Sequence, residues 1–319
     1  MRQRNNRVDL SALVLVTAAI LLGALFAFGQ RALDPATVNS DSIAPVFSSE
    51  TRLVALNVTV IDKNGHPVPD LPKSAFQIFE NNVSQPMDTF NHEDVPVSLA
   101  LVIDSSGSMR GKQPGVVAAA IALVQDSNPQ DESFVVDFND QSYMDVDFTS
   151  DIATLRKGLD GIKARGGTAM RDAIQMSIDH LHNKAKRDKK AVIVITDGND
   201  NASVTPLDRL LKTAQQEGAP IYAIGLLNEE DRSEAASARK ALKLLTEGTG
   251  GQVFYPKEVS EVDAIAHEVA HEIRNQYSIA YTPLNAKLDG TFRAIRVTVK
   301  GPGNPVVRTR NGYWAAPSR

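Results

Sequence analysis

An aspartate followed by two serines at alternating positions, Asp104-Ser105-Ser106-Gly107-Ser108, closes the apolar run Ser98–Asp104. One carboxylate and two hydroxyls on one side of a loop are hard oxygen ligands, the donors that Mg²⁺, Ca²⁺ and Mn²⁺ prefer. Two further loops offer oxygens of the same kind: Arg165-Gly166-Gly167-Thr168, ahead of a helical stretch, and Thr196-Asp197-Gly198, at the end of another apolar run. These residues also have plainer uses. Asp104, Ser106 and Ser108 suit the cap of a following helix, Thr168 suits an N-cap, and Asp197-Gly198 suits a turn. A second constellation, His267-Glu268-Val269-Ala270-His271, matches the pattern in which two histidines one turn apart bind Zn²⁺ and a glutamate activates water. On a helix, however, Val262, Ile265, Ala266, Val269 and Ile273 make one apolar stripe, and both histidines fall roughly 120–160° from its centre. They are expected to face solvent, with only Asp289 left downstream as a third ligand.

Composition narrows the chemistry. The 319 residues carry 34 Lys+Arg against 38 Asp+Glu, a net charge of −4, which argues against a nucleic-acid partner. With 42% hydrophobic and 23% charged residues the chain is globular in type, with length for about two domains. Cysteine is absent, which removes disulfides, thiolate catalysis and Cys-ligated metals, so any metal must sit among oxygen or imidazole donors. Phosphate-cradling glycine loops and a Gly-x-Ser-x-Gly elbow are also missing, and Ser106 has no evident histidine partner. The chain therefore reads as a non-enzyme.

The elements that position these residues follow from the apolar pattern. Arg2, Arg4 and Arg7 precede the uncharged run Leu10 to Gly29, which is either a cleaved signal or a membrane anchor. At ~1.5 Å per residue such a run just spans a hydrocarbon core of about 30 Å. The arginines then stay cytoplasmic and the remainder lies outside, in the cell envelope, periplasmic or extracellular. Residues 1–30 are this signal or anchor, 31–49 a linker, 50–94 an N-terminal β segment, 95–277 an α/β domain and 278–319 a C-terminal β segment. In the α/β part, strands are expected at Ser98–Asp104, Ser133–Asn139, Ala191–Thr196, Ile221–Leu226 and Gln252–Tyr255. Helices are expected at Val116–Asp126, Ala169–Lys186, Leu207–Glu217, Ala235–Thr246 and Val259–Tyr277. Continuous apolar strands separated by helices predict a doubly wound, mostly parallel sheet covered on both faces. Strands at Phe76–Glu80, Met87–Phe90, Ser278–Tyr281, Phe292–Val299 and Val306–Tyr313 flank it, with another near Leu53 to Val60. Neither β segment is large enough to stand alone, so the two are expected to pack as one small β-sandwich with the α/β domain inserted between them.

With the Asp-x-Ser-x-Ser loop, the Gly-Gly-Thr loop and the Thr-Asp-Gly loop in this order at strand ends, the stretch from Pro96 to Tyr277 resembles the von Willebrand factor type A domain. That resemblance implies a metal-ion-dependent adhesion site. Ser106 and Ser108 would be direct hydroxyl ligands, Thr168 would bind directly or through water, and Asp104 and Asp197 would act largely through waters. It implies Mg²⁺, with Mn²⁺ or Ca²⁺ as the other candidates, and an open sixth position for a carboxylate from a partner protein. Val58 to Gly65, Leu71 to Phe79, Gln276-Tyr277 and Arg310-Asn311-Gly312-Tyr313 further resemble the bacterial exported proteins related to this domain. Two other functions stand beside this one: a zinc metallopeptidase built on His267, Glu268 and His271, and an assembly subunit of an envelope complex.

Overall fold

The computed structural model describes residues 53–92, 94–125, 128–227, 232–301 and 303–316. The N-terminal apolar run and the linker after it lie outside the described residues, among which no helix is long and apolar enough to cross a membrane. Four strands come first: β1 (Val54–Ile61), β2 (Phe76–Glu80), β3 (Val83–Gln85) and β4 (Thr89–Asn91). Strands and helices then alternate: β5 (Val97–Asp104), α1 (Gln113–Gln125), β6 (Glu132–Phe138), β7 (Ser142–Thr149), α2 (Ile152–Gly161), α3 (Met170–Lys184) and β8 (Lys189–Thr196). The alternation continues through α4 (Leu207–Glu217), β9 (Ile221–Gly225), α5 (Arg232–Thr249), β10 (Val253–Phe254) and α6 (Val262–Arg274). The chain closes with β11 (Tyr277–Tyr281), β12 (Phe292–Val299), β13 (Val306–Arg308) and β14 (Gly312–Trp314).

The central sheet has the order β10-β9-β8-β5-β6-β7, parallel except for β7 at its edge. Every residue of β5, β6 and β9 is buried, because helices cover both faces; the polar ones are hydrogen-bonded, as Ser98 is to Glu132. Leu99, Leu101 and Ile103 face α1 and α6, where Val116, Ala266 and Val269 meet them. Ala100 and Val102 face the other way, toward Ile174 of α3, Leu210 of α4 and Leu245 of α5. From β5 the chain steps first to β6 on one side and later returns to β8 on the other. This reversal of strand order opens a crevice between the carboxyl ends of β5 and β8, where open α/β sheets bind ligands.

Three elements lack a sustained apolar period: β7, α2 and the three-residue β3. Strand β7 buries only Val146 fully and shifts register against β6, so its sequence lacks a sustained apolar face. Helix α2 buries only Leu155 and Leu159, and its start is fixed instead by Asp151, whose carboxylate accepts from the Ala153 and Thr154 amides. The last helix is also shorter than expected: a 3₁₀ turn covers Val259–Glu261, α6 ends at Arg274, and Tyr277 already belongs to β11. The single strand expected over Val306–Tyr313 is two, β13 and β14, which join different sheets.

The terminal strands form two antiparallel four-stranded sheets, β13-β1-β11-β4 and β14-β12-β2-β3. Each sheet joins N-terminal to C-terminal strands, with Leu56 opposite Ile279 in one and Ile78 opposite Val297 in the other. Val58, Phe76, Ile78, Tyr277, Tyr281 and Val297 share the core between them. The α/β domain is thus inserted in a small β-sandwich. Inside that sandwich the hydroxyls of Tyr281 and Tyr313 both donate to Oε2 of the buried Glu80.

Where the sandwich meets the α/β domain, polar side chains form a buried hydrogen-bonded cluster. Glu272, near the end of α6, accepts from Tyr222 of β9 at 2.9 Å and from Thr59 of β1 at 3.1 Å, while Arg308 of β13 bonds its other oxygen. Gln276 donates to both the Tyr222 and Thr59 hydroxyls. Complete burial, reinforced by the Glu272 charge, holds the Tyr222 phenol well above its ordinary pKa, so it remains a donor. Removing the carboxylate would strand several buried groups at once. Glu272→Ala is expected to cost about 3 kcal/mol of stability, read from the urea midpoint. Exposed Glu268→Ala should stay within about 0.5 kcal/mol of the parent. Equal midpoints for the two variants would contradict this account of the interface.

Candidate metal and ligand-binding site

Asp104 ends β5 completely buried. Its Oδ1 accepts the Ser106 amide at 2.8 Å and its Oδ2 accepts the Thr196 hydroxyl at 2.6 Å. Burial pushes its carboxyl up to about 6, against those hydrogen bonds and with a further raising contribution from the Asp197 charge. Beyond it the chain turns through a 3₁₀ segment, Gly107–Gly111, whose N-cap position is Ser106. No side-chain capping bond forms there, so the serines are not serving as helix caps. Instead the Ser106 and Ser108 hydroxyl oxygens lie 3.0 Å apart, and Ser108 donates to Asp197 Oδ1 at 2.7 Å.

The loop bearing Thr168 is held against this turn by backbone bonds, Gly107 N–H to Gly166 O at 3.1 Å and Arg165 N–H to Ser105 O at 2.8 Å. Its first glycine is required by backbone conformation, and both lie close against neighbouring side chains. Gly166 has φ +70°, and a Cβ there would stand 2.2 Å from an Asp140 carboxylate oxygen. A Cβ on Gly167 would stand 2.9 Å from Asn201 Oδ1. Thr168 itself is buried, donates its amide to Asn201 Oδ1, and accepts the Asn201 and Ala202 amides at its carbonyl. It is not the N-cap of α3, which is Ala169 with no side-chain cap, so the expectation of a capping role for Thr168 is corrected. A Cβ on Gly198 would lie 3.7 Å from Thr168 Oγ1, which places that hydroxyl beside the Asp197-Gly198 turn. The five residues singled out in the sequence, Asp104, Ser106, Ser108, Thr168 and Asp197, therefore meet around the crevice between β5 and β8.

Three partners were not evident from spacing. Thr196 supports Asp104, and Asn201 fixes the Thr168 backbone. Lys112, four residues past Ser108, donates to Asp197 Oδ2 at 2.6 Å and to the Leu226 carbonyl at 3.2 Å. The only sequence signal for Lys112 is its place at the start of the segment after the serine turn. Beside it a cleft of about 680 Å³ opens, lined by Ser108, Lys112, Asp197, Leu226, Ala235 and Val259 among others.

Residues 99–199, which hold all five of the residues above, match the von Willebrand factor type A domain family. The chain contains a von Willebrand factor type A domain. An uncharacterised protein of Synechocystis sp., sll0103, is 30% identical over 122 residues, 37% of this chain and 28% of that protein. Inter-alpha-trypsin inhibitor heavy chain H4 of Bos taurus is 25% identical over 224 residues, 65% of this chain and 24% of its own length. This chain spans less than half the length of these curated relatives. Among solved structures, a von Willebrand factor type A protein from Catenulispora acidiphila is similar with a TM-score of 0.48 at 14% identity, covering 84% of this chain and 75% of that one. BatB of Bacteroides thetaiotaomicron has a TM-score of 0.46 at 18% identity, covering 55% of this chain and 98% of its own.

The His-Glu-x-x-His segment lies on α6, outside the matched residues. His267, Glu268 and His271 are all exposed on α6, and His267 pairs with Asp263 at 3.6 Å. Asp289 is engaged by Thr291 and Arg293 in the sandwich. Among the described residues no group of three or more His, Cys, Asp or Glu side chains is placed to hold a metal ion.

Behind the serine turn, the Ser105 hydroxyl donates to Asp137, and Asp137 faces Asp145 of β7. Partial burial, and then the Asp137 charge, push the Asp145 carboxyl up to about 7. A carboxyl whose pKa is raised on folding holds its proton longer in the folded state than in the unfolded one. Stability should therefore fall as pH rises from about 4 to about 7. Asp145→Asn is expected to flatten that decline, with thermal midpoints compared at pH 5 and pH 8. A variant whose pH profile matches the parent would contradict the proton assignment.

Proposed function

We propose that this chain is an exported, non-enzymatic protein-binding module whose type A domain holds a divalent ion and uses it to coordinate a carboxylate of a partner protein. The observation that carries the reading is the serine pair. Two adjacent ligands of an octahedral Mg²⁺, each at about 2.1 Å, stand about 3.0 Å apart, whereas Ca²⁺ ligands at about 2.4 Å stand about 3.4 Å apart. Ser106 and Ser108 are hydrogen-bonded to each other at 3.0 Å, so both hydroxyl oxygens already stand at the separation of two ligands of one such ion. Ser108 already sends its proton to Asp197, so within the pair Ser106 donates and Ser108 accepts.

In this reading Ser106 and Ser108 bind the ion directly, Thr168 binds directly or through water, and Asp104 and Asp197 act through waters. Mg²⁺ is the first choice, with Mn²⁺ next. The ion supplies a Lewis-acid position for a carboxylate. The chain's own residues orient the ligands, hold the Ser108 proton on Asp197, and keep the carboxylates close without spending them as direct ligands. The basic N-terminus and the apolar run behind it support export to the cell envelope, with a single N-terminal membrane helix if the run is retained. An assembly subunit of an envelope complex would use the same chemistry on a neighbouring subunit. No observation favours the zinc peptidase, whose two histidines are exposed and belong to no group of three or more possible metal ligands among the described residues.

Calorimetric titration of the full-length protein tests the site. Mg²⁺ and Mn²⁺ binding should be lost in Ser106→Ala/Ser108→Ala and kept in His267→Ala/His271→Ala. Metal binding that survives the first variant and disappears in the second would overturn the proposal.

A further inference from the structure

The crevice already contains a cation of its own. Asp197 is 1% exposed in its side chain, and both of its oxygens are used: Oδ1 takes the Ser108 proton at 2.7 Å and Oδ2 takes the Lys112 ammonium at 2.6 Å. Asp104, equally buried, is neutralised by no cation in its hydrogen bonds, which come from an amide and a hydroxyl. Lys112 therefore supplies the positive charge that lets an aspartate stay buried in this crevice.

Its position is built rather than incidental. The Lys112 backbone closes the 3₁₀ turn, with its amide on Met109 O at 2.9 Å, and its carbonyl accepts the Gly115 and Val116 amides that start α1. The ammonium is held a second time by the Leu226 carbonyl, at the end of β9. The side chain is 29% exposed and forms one wall of the adjoining cleft. A fixed ammonium on the carboxylate that a divalent ion needs is both a charge that repels the ion and an occupant of one of the two Asp197 oxygens.

We infer that Lys112 is an internal counter-ion that competes with the divalent ion for Asp197 and so sets the cation affinity of the crevice. The inference rests on the divalent-ion reading given above. It assigns Lys112 an effect opposite to that of a positioning residue. A lysine that merely orients Asp197 would weaken metal binding when removed, whereas a competing cation strengthens it. One neighbouring charge shifts proton binding by about 1–3 log units in such settings, and a partly solvated ammonium belongs at the low end.

The test is calorimetric titration of the full-length protein with Mg²⁺, in the parent, Lys112→Met and Lys112→Arg, with thermal unfolding measured in EDTA and in Mg²⁺. Methionine keeps most of the apolar stem and removes the charge, and arginine keeps the charge. Lys112→Met is expected to bind Mg²⁺ about tenfold more tightly, to melt lower than the parent in EDTA, and to gain more from Mg²⁺. Lys112→Arg should stay near the parent, which separates charge from packing should the methionine variant fold poorly. Equal or weaker Mg²⁺ affinity in Lys112→Met, with the parent binding normally, overturns the competition alone. Absence of Mg²⁺ binding in the parent and in both variants overturns the divalent-ion reading, and the competition falls with it.

Discussion

A fully buried carboxylate at the end of a central parallel strand is costly unless its oxygens are bonded, and Asp104 imposes that condition on everything around it. The reversal of strand order brings β8 alongside β5, so that Thr196 reaches one Asp104 oxygen while the turn that begins at Ser105 folds the Ser106 amide onto the other. The same turn throws two serine hydroxyls into the crevice. Backbone bonds from Gly107 to Gly166 and from Arg165 to Ser105 then hold a third loop against the turn and close the ring. The polar groups in this ring serve each other.

The site and the sandwich are linked by ordinary packing. Met109, the residue after Ser108, is fully buried in the core that α1 shares with α6. At the far end of α6, Glu272 is fastened by Tyr222, Thr59 and Arg308, groups drawn from the sheet and the sandwich. Gly115 permits the close approach of the two helical segments, since a Cβ there would stand 2.3 Å from a Val259 methyl. The serine turn thus rests on a helix that packs against a helix anchored in the β base.

Much of this was legible in the residues. Mostly apolar runs announced β5, β6, β8 and β9 because burial on both faces favours apolar side chains, and the end of β5 located the Asp-x-Ser-x-Ser loop. The angular position of His267 and His271 relative to the apolar stripe correctly put them in solvent. What stayed hidden shares a cause: charge and hydrogen bonding between segments distant in sequence. Lys112 looks like any surface lysine until β8 and β9 bring Asp197 and the Leu226 carbonyl to it. Glu272 sits among exposed acids and histidines on α6, and only the docking of β1 and β13 makes it a buried acceptor. Strand β7 and helix α2 bury too few residues for a period to register, and Thr168 carries the sequence of an N-cap while its backbone is used by Asn201.

The central claim is that the oxygens of this crevice hold a divalent ion, and anomalous diffraction from crystals of the protein grown with Mn²⁺ addresses it most directly. The account predicts a manganese peak among the hydroxyls of Ser106, Ser108 and Thr168. An empty crevice with manganese bound at His267 and His271 instead would contradict it.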